Sequence, residues 1–368
     1  MKPAAWINRS WRHTSWKPSQ LRWIMQDLGG VARQPEQDHR SHLRATLEWV
    51  CRAQDASRSA PHMGRVAGGW SFGSGWEPAC EDTTGWLIET CMSSAVYLAW
   101  PALEQRARVM LDTLLAQPSS HSIGRIHGLI AGHVQLGHAD SLAHAVHSGH
   151  LLKDAPMLSL VQHAAAGRAL AALGNLAQDA VLLEAARDHL EVTLGRQTLC
   201  GWIANGPAPL TTSDLGSILR SLIESASLLD DVRALQAARH TTQALCAQLR
   251  SDGWLAGAFD DGWMPAADHA CVAGLAQLAV CWLRLAQLDS SVPWRDAAWR
   301  AIAWIKRCQR MEGEGTMLRA ALPCSTPIWS GAYAFKFDVL GTKYFADALM
   351  MDMVGVTIPP VVQKVEPA

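Results

Sequence analysis

The chain has 368 residues, of which 49% are hydrophobic and 18% charged; this is ample material for a core and excludes a disordered polyelectrolyte. Its 32 basic and 33 acidic side chains nearly cancel, which disfavours a nucleic-acid groove built on net charge. Nine cysteines, odd in number, without a CxxC pair and mostly inside apolar helical patterns, read as reduced core residues of a cytoplasmic protein.

The first 40 residues read as an arm. They begin without an apolar run long enough for a secretory leader, and no segment of the chain reaches the uninterrupted apolar length of a membrane span. Trp6, Trp11, Trp16 and Trp23 alternate with Lys2, Arg9, Arg12, Lys17 and Arg22, and no acid precedes Asp27. That composition suits peripheral contact with an inner membrane. It suits equally an arm that lays its indoles over the body, and the five-residue spacing, which makes no single helical face, favours the second.

From residue 41 to 352 the apolar periodicity is helical throughout, and the helices fall into six pairs; 353–368 reads as a tail. First members are expected near 42–54, 102–116, 139–151, 178–195, 231–250 and 293–309. Their partners are expected near 83–99, 123–136, 156–173, 213–229, 268–287 and 336–352. Links between pairs are short, whereas the loops inside pairs are long and marked by Gly and Trp: GGWSFG (68–73), CGWIANG (200–206), DGWLAGAFDDGW (252–263) and GEGTM (313–317). This asymmetry predicts an all-α (α/α)6 toroid, with the second helices forming an inner barrel around a central cavity. An open solenoid is the alternative, but its repeats would be more uniform and need polar caps.

In a toroid the long loops open at the mouth of the cavity, just before the inner helices. CEDTTGWLIET (80–90) therefore puts Glu81 and Asp82 at the mouth, where Asp82, Thr83 or Thr84 could simply cap the helix that follows. The capping reading leaves Glu81 and the neighbouring Trp70, Phe72, Trp76 and Trp86 unexplained, and aromatic loops at a mouth suit stacking on sugar rings. Equivalent loops supply Trp202, Trp254, Asp260, Asp261, Trp263, Asp268 and His269, and the last loop supplies Tyr333. Acids converging across one cavity could give and take protons on a glycan. Asp82 or Asp260 is then the expected acid or base, with His127 and Tyr333 assisting. Trp70, Trp76, Glu81, Trp86, Trp202, Trp254, Asp261, Trp263, Asp268 and His269 are the expected substrate-binding residues.

Histidine is dense between residues 121 and 150, yet only His144, His147 and His150 have spacings that share a helical face, and no HExxH accompanies them. No metal site or cofactor is predicted. His127, opening an inner helix, is the histidine expected to reach the cavity, and His163 is a weaker candidate.

An outer helix ending in Gln before a Gly-Gly-Trp loop, as in LEWVCRAQ…GGWSFG, resembles the repeat of the terpenoid-cyclase and protein-prenyltransferase toroids. EDTTGWLIET (81–90), LRSLIES (219–225), GAFDDGWMP with CVAGLAQLAVCWLRL (257–285) and GTKYFADAL (341–349) resemble a bacterial group of such toroids associated with exopolysaccharide biosynthesis. Some parts of these families are missing. Asp230-Asp231 and Asp260-Asp261 lack the third carboxylate of a cyclase acid or a diphosphate site, and no histidine follows His269 to complete a prenyltransferase zinc site. The polysaccharide-linked group would place a histidine where Thr212 and Ser213 stand and a tyrosine where Trp86 stands. The resemblance implies a protein that binds or modifies a glycan or lipid-linked sugar by lyase, epimerase or hydrolase chemistry. The alternatives are a non-catalytic scaffold of a synthesis complex and isoprenoid chemistry of another arrangement.

Overall fold

A computed structural model describes residues 18–28, 37–57, 63–157, 159–206, 209–289, 292–311 and 317–355. The first three arm tryptophans, most of GEGTM and the tail after 355 lie outside the described residues. Helix α1 (Pro18–Leu28) falls within the span read as an arm. It packs on the body through Trp23, whose ring meets Phe337 edge-on at 5.0 Å beneath the Arg310 guanidinium. Asp27 accepts from the Ile328 N–H at 2.8 Å.

Among the described residues twelve further helices form six pairs. The outer members are α2 (His39–Asp55), α4 (Pro101–Leu115), α6 (Ala139–Lys153), α8 (Ala180–Leu194), α10 (Val232–Gln248) and α12 (Trp294–Cys308). The inner members are α3 (Glu81–Leu98), α5 (Ile123–Leu136), α7 (Leu160–Ala177), α9 (Thr212–Leu229), α11 (Val272–Leu288) and α13 (Val339–Val354). Each inner helix packs on the next, and α13 returns to pack on α2 and α3, closing the ring. The inner helices bury residues on most of their circumference, as elements covered on both sides must.

The chain turns within two residues from α3 to α4, α5 to α6, α7 to α8 and α9 to α10. Ala99, Gly137, Gln178 and Asp230 end α3, α5, α7 and α9 in left-handed conformation, φ 49°, 65°, 54° and 55°. After α7 and α9 the next residue, Asp179 or Asp231, caps the following outer helix by accepting two of its first N–H groups. Glycines let neighbouring inner helices touch backbone to backbone near the mouth. A Cβ on Gly85 would lie 1.9 Å from the Gly124 carbonyl oxygen, and one on Gly274 would lie 2.5 Å from the Ser213 nitrogen.

The opposite end is less regular than the sequence suggested. Residues 336–338 and 270–271, expected as helix, are strands that precede α13 and α11. Strands β1 (Gly69–Ser71), β2 (Gly75–Trp76) and β7 (Lys336–Asp338) make an antiparallel sheet with Trp70 opposite both Trp76 and Phe337. Strands β3 (Leu210–Thr211) and β4 (Ala258–Phe259) pair, as do β5 (Ala270–Cys271) and β6 (Ser325–Thr326). Strands this short carry no alternating pattern, so periodicity could not reveal them. They tie together the loops of the fourth, fifth, sixth and first pairs.

Candidate functional site

The rim residues singled out in the sequence are largely engaged in building the loops. Asp82 does not cap its own helix: the N-cap of α3 is Cys80, without a side-chain bond, and the Asp82 carboxylate reaches across to the start of α5. There it accepts from the Gly124 N–H at 2.7 Å and from the Ser122 hydroxyl. Glu81 accepts from the fully buried Arg125 at 2.8 Å and from Ser120 at 2.9 Å. Asp260 folds its own turn, accepting from the N–H groups of Gly262 and Met264 at 3.1 and 2.8 Å. Asp261 and Asp268 are exposed, and the Asp268 carboxylate lies 3.5 Å from His269 Nδ1.

The aromatics behave alike. Trp202 and Trp263 are buried against each other, edge to face at 5.1 Å, and the Trp263 indole donates to the Cys200 carbonyl. Trp70 packs on Phe72 and Phe337, Trp76 on Trp49, and Trp254 lies under Arg250. Tyr333 is 64% exposed, the most open aromatic ring of the rim. Cys200 is exposed, whereas Cys51, Cys91, Cys281 and Cys308 are buried as core residues. His163 turns to α8, its Nδ1 2.9 Å from that of His189.

Two of the singled-out residues, Trp86 and His127, face inward, and they open on a cluster that the sequence reading missed. On α3, Trp86, Glu89 and Thr90 stand at i, i+3 and i+4, the spacing that shares one helical face. Arg168 enters from α7, Arg220 and Glu224 from α9, and Lys343, Tyr344 and Asp347 from α13. All are at least nine-tenths buried, and Trp86, Glu89, His127 and Tyr344 keep 7–9% exposure while much of the surrounding inner-helix surface has none. That residual exposure marks a narrow axial chamber below the rim.

Inside it, the Trp86 and His127 rings stack at 4.2 Å. The Arg168 guanidinium lies 4.6 Å from the Trp86 ring centre, with one nitrogen 3.4 Å from His127 Nε2. Asp347 is enclosed: it accepts from the Thr90 hydroxyl at 2.7 Å, from the Lys343 ammonium, and from Arg220 at 3.4 Å. Glu89 differs, since it has no hydrogen-bond partner among the described residues. Burial pushes its carboxyl up to about 7, against the pull of Lys343. Burial likewise lowers Lys343 to about 8 despite Asp347, and Arg168 to about 10 with the help of Arg220. His127 is held well below its ordinary range by burial and then by Arg168, so its imidazole is neutral. The chamber thus holds a carboxyl shifted into the neutral range, a neutral imidazole and several cations within one barrel.

The signal for this cluster was in the sequence: Glu89, Arg168, Arg220, Lys343 and Asp347 are charges set in otherwise apolar inner helices. Among the described residues no group of three or more His, Cys, Asp or Glu side chains is placed to hold a metal, and no helix is long and apolar enough to cross a membrane.

No protein-family model matches the chain, and no curated protein matches its sequence. Solved structures do match its shape. The unsaturated glucuronyl hydrolase of Bacillus sp. GL1 superposes with a TM-score of 0.71 at 14% identity, covering 87% of this chain and 98% of that one. The fold is an (α/α)6 toroid. The unsaturated glucuronyl hydrolase of Streptococcus agalactiae superposes at 0.69 with 10% identity over 88% of this chain and 94% of its own. The cellobiose 2-epimerase of Spirochaeta thermophila superposes at 0.65 with 14% identity, over 86% and 97%. A variant of the Streptococcus enzyme is known complexed with dGlcA-GalNAc6S.

Proposed function

We propose that this toroid binds a glycan at its mouth and modifies one sugar of it by proton transfer in the axial chamber. The observation that carries the reading is Glu89, a buried carboxyl without a hydrogen-bond partner among the described residues, one helical turn along α3 from the Trp86 that stacks on His127. A carboxylic acid kept protonated near neutrality can donate a proton, and a neutral imidazole can accept one. Titratable groups driven apart by their surroundings are the usual mark of an acid and base pair. Asp82 and Asp260, the acids first expected in this role, already use their oxygens to order backbone N–H groups. Asp347 is likewise enclosed by Thr90, Lys343 and Arg220. Glycoside hydrolysis by paired carboxylates needs a second acid, for which Glu224, 3.9 Å from Arg284, is the candidate, whereas lyase or epimerase chemistry needs none.

Glycan modification also agrees with what the similar structures are called, and a role in bacterial polysaccharide production, on a free or lipid-linked sugar, follows from the sequence resemblance. Isothermal titration with oligosaccharides and, in parallel, a prenyl diphosphate tests the reading, with mass spectrometry of the products. Saturable binding of an oligosaccharide, with a modified product formed by the wild type and not by Glu89→Gln, is the expected result. Binding of the prenyl diphosphate alone overturns it. Binding without any product favours the scaffold reading.

A further inference from the structure

We infer that the axial chamber is a seat for a ligand bearing a single carboxylate, held by the Arg168 guanidinium. The inference rests on the glycan site proposed above and names the class of sugar it takes.

Arg168 projects from α7 with 6% exposure and, among the described residues, forms no ion pair with a carboxylate. Its contacts are the Trp86 ring and one 3.4 Å approach to His127, and its Nε has no hydrogen-bond partner. A buried guanidinium without an anion is costly to maintain, because desolvation is not returned by pairing. The other cations are differently placed. Arg220 and Lys343 share Asp347, and Arg284 of α11 stands 3.9 Å from Glu224. Arg168 therefore leaves an unmatched positive charge facing the chamber, in a fork that a carboxylate fits with two parallel bonds.

Every group facing Glu89 bears on its protonation. His127 of α5 is neutral; Arg168 of α7, Arg220 of α9 and Lys343 of α13 favour its ionised form; Asp347 of α13 opposes it, and burial outweighs the cations. Glu224 pairs toward Arg284, and Tyr344 and Cys281 are held protonated by burial. With Glu89 neutral, an incoming carboxylate meets net positive charge; with Glu89 ionised, it meets a like charge in a confined, poorly solvated space. Binding and protonation of Glu89 are thus linked, and the anion binds best below the pH at which Glu89 ionises.

A carboxylate on a sugar can come from a uronic acid or from a pyruvate ketal. The test uses isothermal titration of the full chain with D-glucuronate, with 4,6-pyruvylated glucose and with D-glucose, at pH 6 and pH 8, alongside a neutral oligosaccharide. One acidic sugar is expected to bind, D-glucose not, with affinity falling about tenfold per pH unit once Glu89 ionises. Whichever acidic sugar binds identifies the source. Glu89→Gln should flatten the fall between pH 6 and 8, and Arg168→Gln should lose at least tenfold at pH 6. Should Arg168→Gln not fold, Arg168→Lys, which keeps the charge and loses the fork, should bind several-fold more weakly than wild type. Equal binding of acidic and neutral sugars, indifferent to pH, overturns the seat and leaves the glycan reading intact. Binding of an acidic monosaccharide without any oligosaccharide keeps the seat and overturns the glycan reading. Failure of every sugar overturns both.

Discussion

Asp347 of α13 accepts a 2.7 Å hydrogen bond from the Thr90 hydroxyl of α3, joining the last inner helix to the first across 257 residues of sequence. The same carboxylate neutralises Lys343 and Arg220, each with no more than 3% side-chain exposure. Replacing it by alanine would take the buried Lys343 ammonium's hydrogen-bonded carboxylate away and remove one partner of Arg220, and breaking such a pair removes about 3–5 kcal/mol. We expect Asp347→Ala to unfold at markedly lower denaturant in a urea titration followed by circular dichroism. A shift within the scatter of surface substitutions would mean that the ring closes by apolar packing alone.

The pH dependence of stability should carry the imprint of Glu89. Its folded-state value, about 7, lies above the ordinary glutamate value of 4.5, so the folded chain holds this proton while the unfolded chain releases it. The contribution is fully present below the unfolded value and is lost as pH rises toward 7, a decline of up to about 3 kcal/mol. Lys343 acts in the opposite sense at higher pH: its folded value, about 8, lies below 10.5, so stability recovers as the unfolded chain's lysine also loses its proton. From pH 5 to 7 the buried neutral His127, which the unfolded chain protonates below its ordinary value, adds an opposite, rising slope, so urea midpoints should rise more steeply with pH for Glu89→Gln than for the wild type; parallel slopes would place the linkage elsewhere.

The fold was legible because a toroid repeats one local rule six times, an amphipathic helix outside and an apolar helix inside, with long loops above in four of the pairs. The α9 and α11 spans, expected at 213–229 and 268–287, differ from the observed helices by a few residues at most. Burial pattern alone could not tell where Asp82 would spend its hydrogen bonds, since its partner Gly124 belongs to the next hairpin. The rim tryptophans were ambiguous for a related reason. An indole in a loop can stack on a ligand or fill the loop's own interior, and Trp202 and Trp263 fill it. The chamber was hidden because Glu89, Arg168 and Lys343 lie far apart in sequence and only ring closure brings them together.

Gly85 is a sharper test of how the ring is assembled. Helix propensity alone predicts that Gly85→Ala would stabilise α3 by about 1 kcal/mol. The close approach predicts the reverse, since the added Cβ would sit 1.9 Å from the Gly124 carbonyl oxygen, and backbone cannot step aside as a side chain can. Such overpacking removes about 1–3 kcal/mol or more. Calorimetry should therefore show a lower Tm for Gly85→Ala, while Gly137→Ala, with no atom within 4 Å of the added Cβ, should suffer only from its left-handed φ of 65°.

Asp82 separates a structural from a catalytic carboxylate by the order of two substitutions. One of its oxygens accepts both the Gly124 N–H and the Ser122 hydroxyl, an arrangement that fixes the first turn of α5 against α3. Asparagine keeps an oxygen able to accept both bonds, and alanine keeps none. A capping role therefore predicts that Asp82→Ala loses about 1–2 kcal/mol in a denaturant titration, that Asp82→Asn loses much less, and that Asp82→Asn binds and turns over glycan as the wild type does. A proton-transfer role predicts the opposite order: Asp82→Asn would fold normally and lose turnover outright, because an amide cannot exchange the proton. Stability and turnover measured on the same two proteins decide between the roles, and the hydrogen bonds at the mouth favour the first.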